Sequence, residues 1–176
     1  PGADQPQWLD RLRLDHANLR FATRWAIDAG NDEVALRLVA ALWRYWQLDG
    51  HLVEARSLAD AALRMPGAEE PTPARLAALP AAGGIAYWDG RPQEALDLYA
   101  AQLALARTLA DPVAEVDAIF NLSWGRFLAG DSRGAEARVA AARAREGAPR
   151  GRPGAGRRTG GHGPWQPRVG GPAAAG

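Results

Sequence analysis

YWQLDG at residues 45–50, YWDG at 87–90 and FLAG at 127–130 set Gly50, Gly90 and Gly130 forty residues apart. An aromatic-rich stretch with helical spacing runs into each glycine, and a second helical stretch follows it. Five residues beyond each glycine stands an alanine, at Ala55, Ala95 and Ala135, with Glu54 and Glu94 before the first two. A fixed period of this size marks a chain built from one repeated supersecondary unit, each unit covering the apolar face of the next. The expectation is therefore an all-α solenoid of helical hairpins. Such arrays act by binding, so recognition rather than chemistry is the expected function.

Working outward from the glycines gives the organisation. Residues 1–7 are expected to be a disordered lead and 8–146 a helical repeat domain. Residues 8–29 read as one entry helix with Trp8, Leu12, Leu19, Ala22, Trp25 and Ala26 on one side. The repeats fall at about 32–67, 72–110 and 112–146. Repeat one has its first helix over 32–48, with Leu36, Val39, Leu42, Trp43 and Trp46 as the apolar stripe, and returns over 51–65. Pro66-Gly67 closes it, and a loop with Pro71 and Pro73 follows. Repeat two has helices over about 74–88 and 92–110, with Pro92 suited to an opening turn and Pro80 inside the first helix, where it is expected to remove a backbone hydrogen bond and kink the helix. Repeat three has helices over about 112–129 and 132–145, the second weakened by Gly134 and Arg138.

After Glu146 the composition changes. Residues 147–176 are a third glycine, rich in arginine and proline, and carry Trp165 and Val169 as their only large apolar groups. Such a segment cannot bury enough surface to offset its ordering entropy and is predicted to be a disordered tail. A frameshift in a GC-rich gene is one source of this composition, and a genuine tail is the other.

The net charge of +1 conceals a division. Residues 1–146 hold sixteen arginines against all twenty acids, and residues 147–176 hold five arginines and no acid. A nucleic-acid-binding face on the acidic repeat region is not expected. There is no lysine, which excludes a P-loop and a Schiff-base lysine, and no cysteine, which excludes disulfides and thiolate metal sites. No apolar run approaches the roughly 18 residues of a membrane span, and no signal peptide is visible. A chain that starts at Pro1 is expected to be a piece of something longer.

The three units resemble tetratricopeptide repeats. Each first helix has a large residue, a small position, an aromatic and a turn glycine, and a buried alanine follows. The small position is Gly83 or Ser123, and repeat one departs from it with Trp43. The forty-residue spacing exceeds the usual period of about thirty-four, which implies longer helices. The stretch Trp8-Leu9-Asp10-Arg11-Leu12, then Asp15-His16-Ala17-Asn18-Leu19-Arg20, Ala22 and Trp25-Ala26, is similar to the opening of the helical-repeat region of actinobacterial STAND-type (NB-ARC-like) ATPase regulators. Those proteins are often joined to a LuxR-type or SARP-type DNA-binding domain or to a cyclase domain. The resemblance covers about residues 8–146 and implies a right-handed superhelix. It also implies a protein–protein or peptide interaction module, the sensor arm of a cytoplasmic signalling or transcriptional regulator. The partner would be a protein, a peptide or the missing ATPase domain, and DNA would be reached only through a missing output domain. The alternatives are a free-standing adaptor and a DNA-binding protein acting through its tail.

Carrying the family's groove positions onto this chain gives Arg37, Arg44, Gln47 and Leu48, then Tyr87 and Trp88, then Asp117, Phe120, Trp124 and Phe127. Aromatics and arginine combine large contact area with directed donors, which suits them to anchor a partner. Trp43 and Trp46 are expected to pack between hairpins instead. For Tyr87, Trp88 and Trp124 both roles stand open. His16 and His51 lack a second ligand at the i, i+4 spacing of a helical metal site and are expected to be a polar helix residue and a turn residue. Asp32, Asp111 and Asp131 lie at or just before helix starts, as caps. No nucleophile–base pair, phosphate loop or paired-carboxylate cleft is evident, so neither catalysis nor a cofactor nor a metal is expected. Pro149-Arg150-Gly151-Arg152-Pro153 matches the core of the AT-hook, a minor-groove DNA arm, but lacks its basic extension, and chance in a biased segment is the favoured source.

Overall fold

A computed structural model of the protein describes residues 5–128. Among these residues there are seven α-helices and no strand. They are α1 (Gln5–Leu14), α2 (His16–Asp28), α3 (Asp32–Asp49), α4 (Leu52–Leu63), α5 (Pro73–Trp88), α6 (Pro92–Thr108) and α7 (Pro112–Leu128), with a 3₁₀ turn at Pro66–Glu69. The expectations for Gly130, Asp131, Ala135, the helix at 132–145 and the tail at 147–176 lie outside the described residues. No helix among them is long and apolar enough to cross a membrane.

The helices are cut to length by their ends. Gly30, Gly50 and Gly90 all take positive φ, at 71°, 82° and 76°. The residue after each donates its N–H five positions back, Asn31 to Ala26 O, His51 to Trp46 O and Arg91 to Ala86 O, at 2.8–2.9 Å. This left-handed termination satisfies carbonyls that a helix end otherwise leaves free. The same turn recurs after α6 with no glycine. Ala110 sits at φ 53°, and Asp111 N–H reaches Ala106 O at 2.9 Å. Turn positions therefore fall at 30, 50, 90 and 110, a half-period of twenty. The acceptors Ala26, Trp46, Ala86 and Ala106 are all completely buried, so each turn is anchored in packed structure. Starts are marked by side-chain caps. Asn31 Oδ1 accepts from Val34 N, Thr72 Oγ1 from Arg75 N, and Asp111 Oδ1 from Val113 N and Ala114 N. Asp32 is thus the first residue of α3, one place inside its cap.

Two boundaries differ from the sequence reading. Residues 5–7 belong to α1 rather than to a disordered lead, and 8–29 is two helices rather than one. The division falls at Asp15, whose ψ of 3° bends the chain, while i→i+4 bonds from Asp15 N to Arg11 O and from Leu19 N to Asp15 O continue across it. Aspartate is a weak helix former because its short carboxylate competes for local donors. Here it accepts from Asn18 Nδ2 at 3.5 Å. Trp8 and Trp25 consequently face solvent, and of the expected stripe only Ala26 is fully buried.

Helix α5 is the centre of the packing. It meets α3, α4 and α6 extensively and α7 lightly. Ten of its sixteen residues are buried, too many for one stripe, so it is covered on several sides. Its sequence, PARLAALPAAGGIAYW, is a poor intrinsic helix. Pro80, Gly83 and Gly84 together cost roughly 5 kcal/mol relative to alanine. Close packing offsets this. A methyl on Gly83 would lie 2.4 Å from the Tyr99 ring of α6, and one on Gly84 would lie 2.7 Å from the Trp43 ring of α3. Each aromatic gains up to about 4 kcal/mol by resting in the space a side chain would have filled. The helix runs through Pro80 without interruption.

Around α5 the expected stripe of α3 is present. Leu36, Val39, Leu42 and Trp46 are buried, Trp46 at 0% exposure, and Trp43 lies against Gly84. Both tryptophans are thus packing residues. Ala55 and Ala95 are buried as the repeat pattern expects, and Gly125 of α7 is approached by the Leu96 side chain of α6.

The turn at Ala110 yields a direct check. A non-glycine residue in left-handed geometry costs roughly 1–2 kcal/mol, whereas glycine adopts it freely. Ala110→Gly should raise the urea midpoint, by up to about 1 kcal/mol of stability, and Gly50→Ala should lower it by a similar amount. A loss of stability in Ala110→Gly would show that the turn is not left-handed.

Candidate functional site

The residues expected to form the groove lie on α3, α5 and α7. Arg37 is exposed and bonded one turn back to Glu33 at 2.6 Å. Arg44 is half-buried, lies 4.9 Å from the Trp43 ring centroid and donates to Gln47 Oε1 at 3.2 Å. Burial lowers its pKa, although a guanidinium remains charged. Tyr87 and Trp88 meet edge to face at 5.6 Å, and Trp124 stacks on Phe127 at 5.9 Å and 28°. Trp88, Phe120 and Phe127 are between 42% and 52% exposed, and Leu48 is similarly open. Among the expected anchors these are the apolar groups available to a partner. Tyr87 and Trp124 are more covered.

Asp117, on an exposed position of α7, has its carboxyl pKa raised by desolvation first and by the Asp111 carboxylate second. A raised carboxyl favours the folded state in its protonated form, and that advantage is lost as the pH rises through the folded value. Asp49 is shifted the opposite way. Its hydrogen bond from Arg13 Nε, at 2.6 Å, is the main cause, and His51 adds to it. Its contribution to stability is present above the unfolded carboxyl value and is lost as the pH falls.

Asp49 belongs to a cluster that sequence spacing did not reveal. The His16 and His51 rings stack at 4.0 Å with 19° between their planes, and Tyr45 lies within 6 Å of both centroids. His16 Nε2 is 3.1 Å from Glu54 Oε2, and His51 Nε2 is 3.1 Å from Asp49 Oδ2. Arg20 approaches Glu54 at 3.5 Å. The two histidines, expected to be isolated, are therefore in contact.

The following turn carries the same cluster with other residues. Forty positions on from His16, Asp49, His51 and Glu54 stand Arg56, Asp89, Arg91 and Glu94. Arg56 reaches Asp89 at 3.4 Å, Arg91 Nε reaches Asp89 at 3.0 Å, and Arg91 also pairs with Glu94. Burial opposes the charge on Arg91, but Glu94 and Asp89 outweigh it and its pKa is raised. Superposing the sequence on itself at the forty-residue period was the signal that could have found this site, because the contacts between α2 and the α3–α4 turn span more than thirty residues.

No protein-family model, curated protein or solved structure matches the chain.

Asp117→Asn provides the pH test. Near neutrality the variant should melt slightly above the parent, because it does not hold a carboxylate whose charge its surroundings and Asp111 disfavour, an effect that solvent screening keeps small. The gain should shrink as the pH is lowered and the parent carboxyl takes up its proton. A gain that is constant with pH would mean that the Asp117 charge is not the cause.

Proposed function

We propose that the chain is a protein- or peptide-recognition module, a tetratricopeptide-like stack of helix pairs in a right-handed superhelix. In this reading it forms the sensor arm of a cytoplasmic signalling or transcriptional regulator and carries no catalysis of its own. Support for the stack comes from the packing order, in which α3 rests on both α4 and α5, and α5 on α4, α6 and α7. Contact of α3 and α5 each with its following partner, and of both with one another, is what stacked units produce. The observation that carries the binding function is the set of open aromatics Trp88, Phe120 and Phe127, supplied by first helices whose other faces are committed to the core. Half-buried Arg44, seated beside Trp43, adds a charged donor in an already partly desolvated place. Such groups are ordered before binding and lose little side-chain entropy on contact.

Occupancy of this surface acts by differential affinity for two states of a larger assembly. Trp88→Ala and Phe127→Ala should each weaken partner retention on the immobilised chain by about tenfold or more. Far-UV circular dichroism should stay unchanged, since both side chains are about half exposed. Retention equal to the parent's would place the binding surface elsewhere, and a loss of helicity would make these residues part of the core.

A further inference from the structure

We propose that His16, His51 and Glu54 form a site for a divalent transition-metal ion, with zinc the best match, joining the start of α2 to the turn between α3 and α4. One donor atom from each of the three residues lies within 4.8 Å of the others. The 3.1 Å between His16 Nε2 and Glu54 Oε2 is close to the ~3.3 Å edge of a tetrahedron with metal–ligand bonds of about 2.0–2.1 Å. Two imidazoles and a carboxylate, with water in the fourth position, are a donor set that zinc accepts and that magnesium or calcium does not favour.

A second observation, the comparison with the following turn, points the same way. There the two cationic places are filled by Arg56 and Arg91, which pair with Asp89 and Glu94 and cannot bind a metal. In the first turn those same two places hold histidines, the one exchange that turns a salt-bridge cluster into a ligand set. Asp49, beside His51 Nε2 and fixed by Arg13, supplies the outer carboxylate that orients a ligating imidazole through its second nitrogen. Capture requires the stacked rings to splay so that their lone pairs converge. Both are partly open to solvent, with 22% and 34% of the side chain exposed.

The test uses the full chain without an affinity tag, stripped with chelator. Titration with Zn²⁺ should show a single equivalent bound and a rise in Tm, and Co²⁺ should give the visible absorption of a low-symmetry site. His51→Arg installs the residue of the following turn and so should keep the fold, with a metal-free Tm at or above the parent's. Its zinc affinity should be lower by about a hundredfold and its Co²⁺ band absent. Glu54→Gln should weaken binding as well, and His162→Ala, which removes the third histidine of the sequence, outside the described residues, should leave it unchanged. A parent chain whose Tm does not respond to Zn²⁺ would overturn the site. So would a response that survives in His51→Arg or disappears in His162→Ala.

Discussion

The close approach of three helices at Gly83 and Gly84 is the constraint on which the rest of the described structure depends. Trp43 comes in from α3 on one side and Tyr99 from α6 on the other, each into space that a β-carbon would occupy. Burial holds the Tyr99 phenol far above its ordinary pKa, so it stays uncharged between its neighbours. With those two rings seated, α3 and α6 have fixed distances from α5. The turns at Gly50 and Gly90 then bring α4 and α6 back along their partners. The open aromatics of α5 and α7 and the histidine cluster at the end of α3 occupy positions that follow from this arrangement.

Much of the helical layout was legible because termination leaves a chemical mark. Gly50 and Gly90 end helices, Asp111 starts one, and Ala55 and Ala95 are buried, all as the period implies. The missed features were those without a residue signature. Ala110 adopts the glycine conformation with a side chain that gives no sign of it. Asp15 bends the entry segment by a small change in ψ that leaves the hydrogen-bond pattern continuous. The helix expected over about 74–88 is present despite Pro80, Gly83 and Gly84, which are poor helix formers, because large neighbours cover it on several sides.

The anchors and the histidine cluster differ in the same respect. A surface aromatic can be nominated from a helical pattern because its neighbours along the helix are one turn away. Trp88, Phe120 and Phe127 follow that pattern and are open. His16 and His51 meet only because α2 crosses the α3–α4 turn, a contact between distant parts of the chain. Their proximity became readable only through the equivalence of Asp49, His51 and Glu54 with Asp89, Arg91 and Glu94.

The central place of α5 also bears on how the protein is made. During synthesis α3 and α4 leave the ribosome before α5, so Trp43 and its apolar neighbours stay uncovered until the Ala-Gly-Gly segment arrives. Domains assemble in the order in which they emerge, but here the earlier helices cannot finish packing without the later one. A ribosome stalled before Gly84 would leave Trp43 and its apolar neighbours on α3 open to solvent.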